Sequence, residues 1–142
     1  MANANGPFGP DLFYRKILEE LHDGVYFVDR DRRITFWNKG AERITGYCSP
    51  EVMGRSCADN LLVHVTEQGE GLCTGLCPLA HTIADGQMRE AEVFLHHKEG
   101  HRVPVSVRVA PVFAPDGETL GAVEVFSENT EKITALRRVQ EL

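Results

Sequence analysis

No stretch of this chain approaches the roughly 18 consecutive apolar residues that a membrane helix needs, so none of it reads as a span. Runs of Lys or Arg are missing too, and 15 basic residues against 21 acidic ones leave a formal charge of −6. Phosphate backbones are held chiefly by clustered positive charge, which argues against nucleic acid as a partner. Residues 1–10 contain neither a basic n-region nor an apolar core, so they read as a flexible lead-in rather than a secretory signal. A cytoplasmic location is therefore expected, with the four cysteines as thiols or metal ligands rather than structural disulfides. No segment recurs at a fixed period, which excludes a solenoid. Ser/His/Asp, phosphate-loop and paired-carboxylate constellations are also lacking. Gly69, Gly71 and Gly75 supply glycines without the Gly-Lys-Ser/Thr that cradles phosphate. The chain is not expected to be an enzyme.

What is present fits one compact domain. Of 142 residues, 42% are hydrophobic and 25% charged, enough of each for a core and a solvated surface. From Pro10-Asp11 the apolar residues Phe13, Ile17 and Leu21 recur every four positions, with Arg15, Lys16, Glu19 and Glu20 opposite. This spacing predicts an amphipathic helix over 11–23, stopped by Gly24. Val25–Val28 and Ile34–Trp37, separated by the polar Asp29-Arg30-Asp31-Arg32, read as an antiparallel hairpin. Asn38 is a helix N-cap for a short helix that Gly46 ends. Ser49-Pro50-Glu51 marks a second start, with Ser49 as the capping hydroxyl.

Pro78 opens another helix closed by Asp85-Gly86, which makes Cys77 its N-cap. Further on, Ala91, Val93 and Leu95 alternate with Glu90, Glu92 and Phe94. Val103, Val105, Val107 and Val109 keep a strict period of two, and Leu120 to Phe126 forms a last strand. The fold class is accordingly α+β: a five-stranded antiparallel sheet with short helices on one face, the last three strands forming a meander. Residues 131–142 continue as a helix with near-heptad spacing.

The middle of the chain, Gly54 to Gly86, carries three cysteines and two histidines in a loosely patterned stretch. Cys73 and Cys77 stand four apart, and Cys77 and His81 share the i,i+4 spacing of one helix face. With Cys57 they could complete a Cys3His set for zinc or an iron–sulfur cluster. Redox-active thiols are a second reading, with Cys77 favoured by the N–H groups of a helix start. Plain packing of small apolar side chains is the third and the default. Cys48 reads as packing, while His96, His97 and His101 flank an exposed turn and read as solvated.

Three segments together resemble a PAS domain, the sensory module of bacterial signalling proteins. One runs Asp23–Asp29, Ile34–Glu42 and Thr45–Tyr47. Another is the turn–strand–turn from Lys98-Glu99-Gly100 to Asp116-Gly117. The third is Glu128-Asn129-Thr130, similar to the Asp-x-Thr that closes the last PAS strand, with Glu in place of Asp. The likeness covers about Leu18 to Thr130. It implies a sensor domain at 24–130, a dimerisation helix at 11–23 and the start of a signalling helix at 131–142. That helix would lead to a separate output domain such as a diguanylate cyclase or a histidine kinase.

The resemblance further implies a homodimer, with Glu128 and Thr130 coupling the sheet to the signalling helix. A ligand pocket is implied between the sheet and the segment from Ala41 to Ala84. Its occupant is unassigned. Gly54-Arg55-Ser56-Cys57 is similar to the segment around the photoreactive cysteine of flavin sensors. However, Leu95, Val105 and Phe126 stand where those sensors carry amide side chains, which disfavours flavin. Cys-x-x-Cys-His is missing, and the axial histidine of haem-binding relatives would fall near Gly75 or Leu76, which disfavours haem. A small ligand, zinc or an iron–sulfur cluster stays open, as does a ligand-free interaction module.

Overall fold

The computed structural model describes residues 9–56, 65 and 77–129. An N-terminal helix α1 (Gly9–Glu20) leads into the hairpin β1 (Gly24–Asp29) and β2 (Ile34–Trp37). Two short helices follow, α2 (Lys39–Thr45) and α3 (Ser49–Val52). Then come α4 (Pro78–Asp85) and the long strands β3 (Arg89–His96), β4 (Arg102–Phe113) and β5 (Thr119–Glu128). All five strands join one antiparallel sheet in the order β2-β1-β5-β4-β3. The last strand in sequence is thus the central one. It pairs with β1, nearly a hundred residues upstream, from Gly24 opposite Phe126 to Asp29 opposite Gly121.

The alternation predicted for the late strands decides which face is buried. Val103, Val105, Val107 and Val109 point inward from β4, and Val93 and Leu95 do so from β3. They meet Tyr26, Val28, Ile34 and Trp37 of the hairpin and Ala122 and Phe126 of β5. Helices α2 and α4 close this inner face, bringing Ala41, Ile44 and Leu79 into the same core. Fully burying a large apolar side chain contributes about 1.5–3 kcal/mol.

Both edge strands make further backbone bonds. On β2, Ile34 N–H donates to Arg55 O (2.9 Å), and Gly54 N–H donates to Ile34 O (2.8 Å). On β3, Phe94 and buried Val65 exchange two backbone bonds of 2.9 Å, so Val65 pairs with the middle of that edge strand.

The helix boundaries depart slightly from the sequence expectation. α1 begins at Gly9 and ends at Glu20, and its first residues precede the Pro10-Asp11 signal. α3 is capped by Cys48 and not by Ser49. Glu51 reaches back to accept from both Cys48 N–H and Cys48 Sγ at 3.0 Å, and Ser49 N–H instead donates to Glu42 Oε2 (2.8 Å). Cys48 is exposed, so it caps rather than packs. The bond to Glu51 holds its thiol above the ordinary range and keeps it protonated. α2 ends as expected at Gly46 in the left-handed region (φ 81°). A side chain there would also press on the His97 ring, 2.6 Å from the position of a Cβ.

Asn38 does more than cap α2. Its Oδ1 accepts from Ala41 N–H and from Val25 N–H, both at 2.8 Å. Its Nδ2 donates to Leu18 O (2.8 Å) and Asp23 O (3.0 Å). One fully buried amide therefore ties the end of α1, the start of β1 and the start of α2 together.

Candidate functional site

The inner face of the sheet is apolar except at one row. Tyr26 of β1 lies directly across from Glu124 of β5, Val109 of β4 lies on the other side of Glu124, and Trp37 lies beyond Tyr26. Glu124 falls in phase with Ala122 and Phe126, so the period of the strand turns it into the core, where it is 2% exposed. An ionised carboxylate is costly there, since the interior cannot replace its hydration. Burial pushes the Glu124 carboxyl up to about 8. The Tyr26 hydroxyl beside it pulls the other way, and the neighbouring Cys77 thiol adds a smaller upward push.

At neutral pH Glu124 is therefore mainly protonated: a buried acid that can give up a proton when its surroundings become more polar or more positive. The rings around it are ordered. Tyr26 and Trp37 have centroids 5.4 Å apart, and Tyr26 meets Phe126 edge-on at 6.0 Å.

Cys77 stands at the N-cap of α4, as its place before Pro78 predicts. The thiol is buried and makes no side-chain capping bond, so its contact with the helix start is positional only. His81, one turn further along, is exposed. Cys57, Cys73 and Thr130, which the sequence singles out beside them, lie outside the described residues, as does the helix expected over 131–142. Glu128 is at the end of β5, exposed, with its carboxylate 4.0 Å from Arg43 of α2.

Leu95, Val105 and Phe126 are all buried in the core, and none brings a polar side-chain atom to the inner face. Among the described residues, a group of metal-ligating side chains gathers elsewhere, at His97, Glu99 and His101 in the β3–β4 turn. His97 there is half-buried rather than simply solvated. Glu124 is the residue that sequence reading missed, although its period-two phase with Ala122 and Phe126 was a visible signal.

The family model described as "PAS fold" matches residues 18–134. The probable diguanylate cyclase DgcE of Escherichia coli K12 is 27% identical over 126 residues, covering 86% of this chain and 11% of that protein. The signal transduction histidine-protein kinase AtoS of the same organism is 27% identical over 126 residues, covering 87% of this chain and 19% of that protein. The chain thus spans less than a fifth of either curated relative. Among solved structures, the PAS domain of a Colwellia psychrerythraea protein aligns with a TM-score of 0.70 at 20% identity, covering 83% of this chain and 95% of that one.

Proposed function

The chain belongs to the PAS fold family, and from that premise we propose that it is the sensing and dimerisation domain of a signal-transduction protein. It couples a ligand or thiol redox state to a separate output domain, of the diguanylate cyclase or histidine kinase kind found in the relatives. Catalysis belongs to that output domain. The domain works in the cytoplasm; no described helix is long and apolar enough to cross a membrane.

One observation carries this reading. The ionisable group buried on the inner face, Glu124, sits on the strand that runs out of the sheet at Glu128. A change at Cys77 or in a bound molecule alters the charge balance around Glu124, and β5 is the shortest covalent path from there to the C-terminal exit. Glu128, with Thr130, anchors that exit, and Arg43 ties it to α2.

The test is purification without oxygen, followed by absorption, metal analysis and hydrogen exchange of residues 119–128 in reduced and oxidised protein. Exchange in β5 is expected to change with thiol state or on release of a bound molecule. Identical exchange in both states with nothing bound would overturn sensing and leave a ligand-free interaction module. The visible bands of a cluster, or zinc still retained by the paired variant H97A/H101A, would assign Cys57, Cys73, Cys77 and His81 to a metal. In the full-length protein, replacing Glu128 by Ala should abolish the response of the output while leaving the fold intact. Its pair with Arg43 is solvent-exposed and worth little to stability.

A specific observation favours dimerisation through α1. Tyr14 and Ile17 of α1 are 59% and 46% exposed, and Leu21 just past its end is 41% exposed, so the described residues leave an apolar stripe uncovered. Ile17→Glu is expected to convert a dimer to monomer in sedimentation velocity with its secondary structure unchanged. A wild-type protein that stays monomeric at high concentration would refute it.

A further inference from the structure

The β3–β4 turn gathers ligand chemistry that the inner-face site does not use. His97 N–H donates to His101 O and Gly100 N–H to His97 O, both at 2.8 Å, with Gly100 at φ 102°. This tight turn brings the two imidazoles to one side, stacked with centroids 4.3 Å apart and planes 18° from parallel. Glu99, between them in sequence, places a carboxylate oxygen in the same group. One ligand atom from each of the three residues lies within 4.8 Å of the other two.

We propose that His97, Glu99 and His101 form a binding site for a divalent transition-metal ion of the zinc, nickel or copper class. Imidazole with carboxylate is the donor set that suits these ions, and hard oxygen-seeking cations prefer all-oxygen sites. Ligand atoms in a tetrahedral zinc site lie roughly 3.3 Å apart, given metal–nitrogen bonds of about 2.0–2.1 Å. The group must therefore contract by up to about 1.5 Å, which rotations of the exposed Glu99 and His101 side chains supply. Solvent fills the remaining coordination positions.

Two features of the surroundings favour an ion. Of the two cations that flank the group in sequence, Lys98 and Arg102, Lys98 is turned away from it. Its N–H donates to Thr45 O (2.9 Å) and its ammonium to Glu51 (2.6 Å), whose carboxyl is held down at about 2 by Cys48 and Lys98. The His97 ring is meanwhile seated against Gly46, which limits its motion. One interaction competes: His97 Nδ1 accepts from Glu99 N–H at 3.0 Å. An ion taking that lone pair releases an amide at an exposed turn, where water accepts the bond.

The turn is docked on the segment after α2, and this gives the site a reporter. Trp37, the chain's one tryptophan, donates its indole N–H to Tyr47 O (2.9 Å), next to the Gly46 that carries the His97 ring. Drawing His97 toward an ion changes the contact at Gly46 and the environment of Trp37.

The experiment is a titration of the chelator-treated, reduced protein with Zn2+, read by calorimetry and Trp37 emission. We expect saturable binding with a concurrent emission change. His97→Ala and His101→Ala should each weaken the ion by about tenfold or more, and Glu99→Gln by less. The paired replacement H97A/H101A should remove the emission change altogether. His101 and Glu99 are exposed, so their variants keep the fold if His97→Ala disturbs the packing at Gly46. Undiminished binding in the paired variant would put the ion on the cysteines and overturn the proposal, as would no binding in the wild type.

Discussion

Replacing Asn38 by Ala is expected to destabilise the domain by about 3–5 kcal/mol, a large share of the roughly 5–15 kcal/mol that holds a typical domain together. The primary amide is at full capacity, two bonds accepted at Oδ1 and two donated from Nδ2. Truncation leaves Val25 N–H and Ala41 N–H without their acceptor, and the Leu18 and Asp23 carbonyls without their donor. Each buried backbone group left unsatisfied costs about 1–3 kcal/mol. Loss of a cap alone would cost about 1 kcal/mol. Asn38→Ser keeps a cap acceptor but cannot span to Leu18 and Asp23, so it should recover about 1 kcal/mol of the loss. Asn38→Asp keeps both acceptor bonds but turns a carboxylate oxygen on the two carbonyls, and it should be nearly as harmful as Ala. Urea denaturation of the three variants decides the point. A loss of only about 1 kcal/mol for Asn38→Ala would reduce the residue to a helix cap.

Asn38 also shows where sequence reading stopped. Its place before an apolar helical pattern identified the cap, because that signal is local. The bonds to Leu18 and Asp23 exist only once α1 has folded back beside β1, and nothing near Asn38 encodes that. The strands divide in the same way. The valines of β4 announce their inner face through a period of two, yet the central position of β5 depends on pairing with β1 far upstream. Ser49 looked the better cap than Cys48, but Glu51 closes its box one residue earlier and a thiol serves as donor. His97 and His101 read as solvated because turns are exposed. Their stacking appears only when the turn closes. Glu124 was legible in principle, since alternation with Ala122 and Phe126 sends it inward.

Glu124 should make stability fall as pH rises, opposite to the behaviour of paired surface carboxylates. Its carboxyl is raised from an ordinary 4.5 to about 8 in the folded chain, so between those values the folded state holds a proton that the unfolded state has lost. Stability rises with pH only where the unfolded state binds more protons, so this group gives a negative slope. Its contribution is complete below pH 4.5, declines through the window and levels off above about 8. A shift of this size corresponds to a few kcal/mol, on the order of 1.4 kcal/mol per pKa unit. Glu51 has the reverse sign, with its carboxyl depressed from 4.5 to about 2, and its contribution fades as pH falls between those values.

Glu124→Gln keeps the size and polarity of the side chain and removes the titration. It should therefore match the wild type near pH 4, below the unfolded value, and exceed it by a few kcal/mol at pH 8.5. Groups that titrate in both proteins cancel in the difference between them. Denaturant midpoints measured at half-unit pH steps would show it, and parallel profiles for the two proteins would mean that Glu124 is not held protonated by burial. The same measurement bears on signalling. If the proton on Glu124 is what a ligand or a modified Cys77 displaces, Glu124→Gln should also abolish the change in β5 hydrogen exchange between reduced and oxidised protein. A variant that still shows that change would separate the buried acid from the switch and leave it a static, costly element of the core.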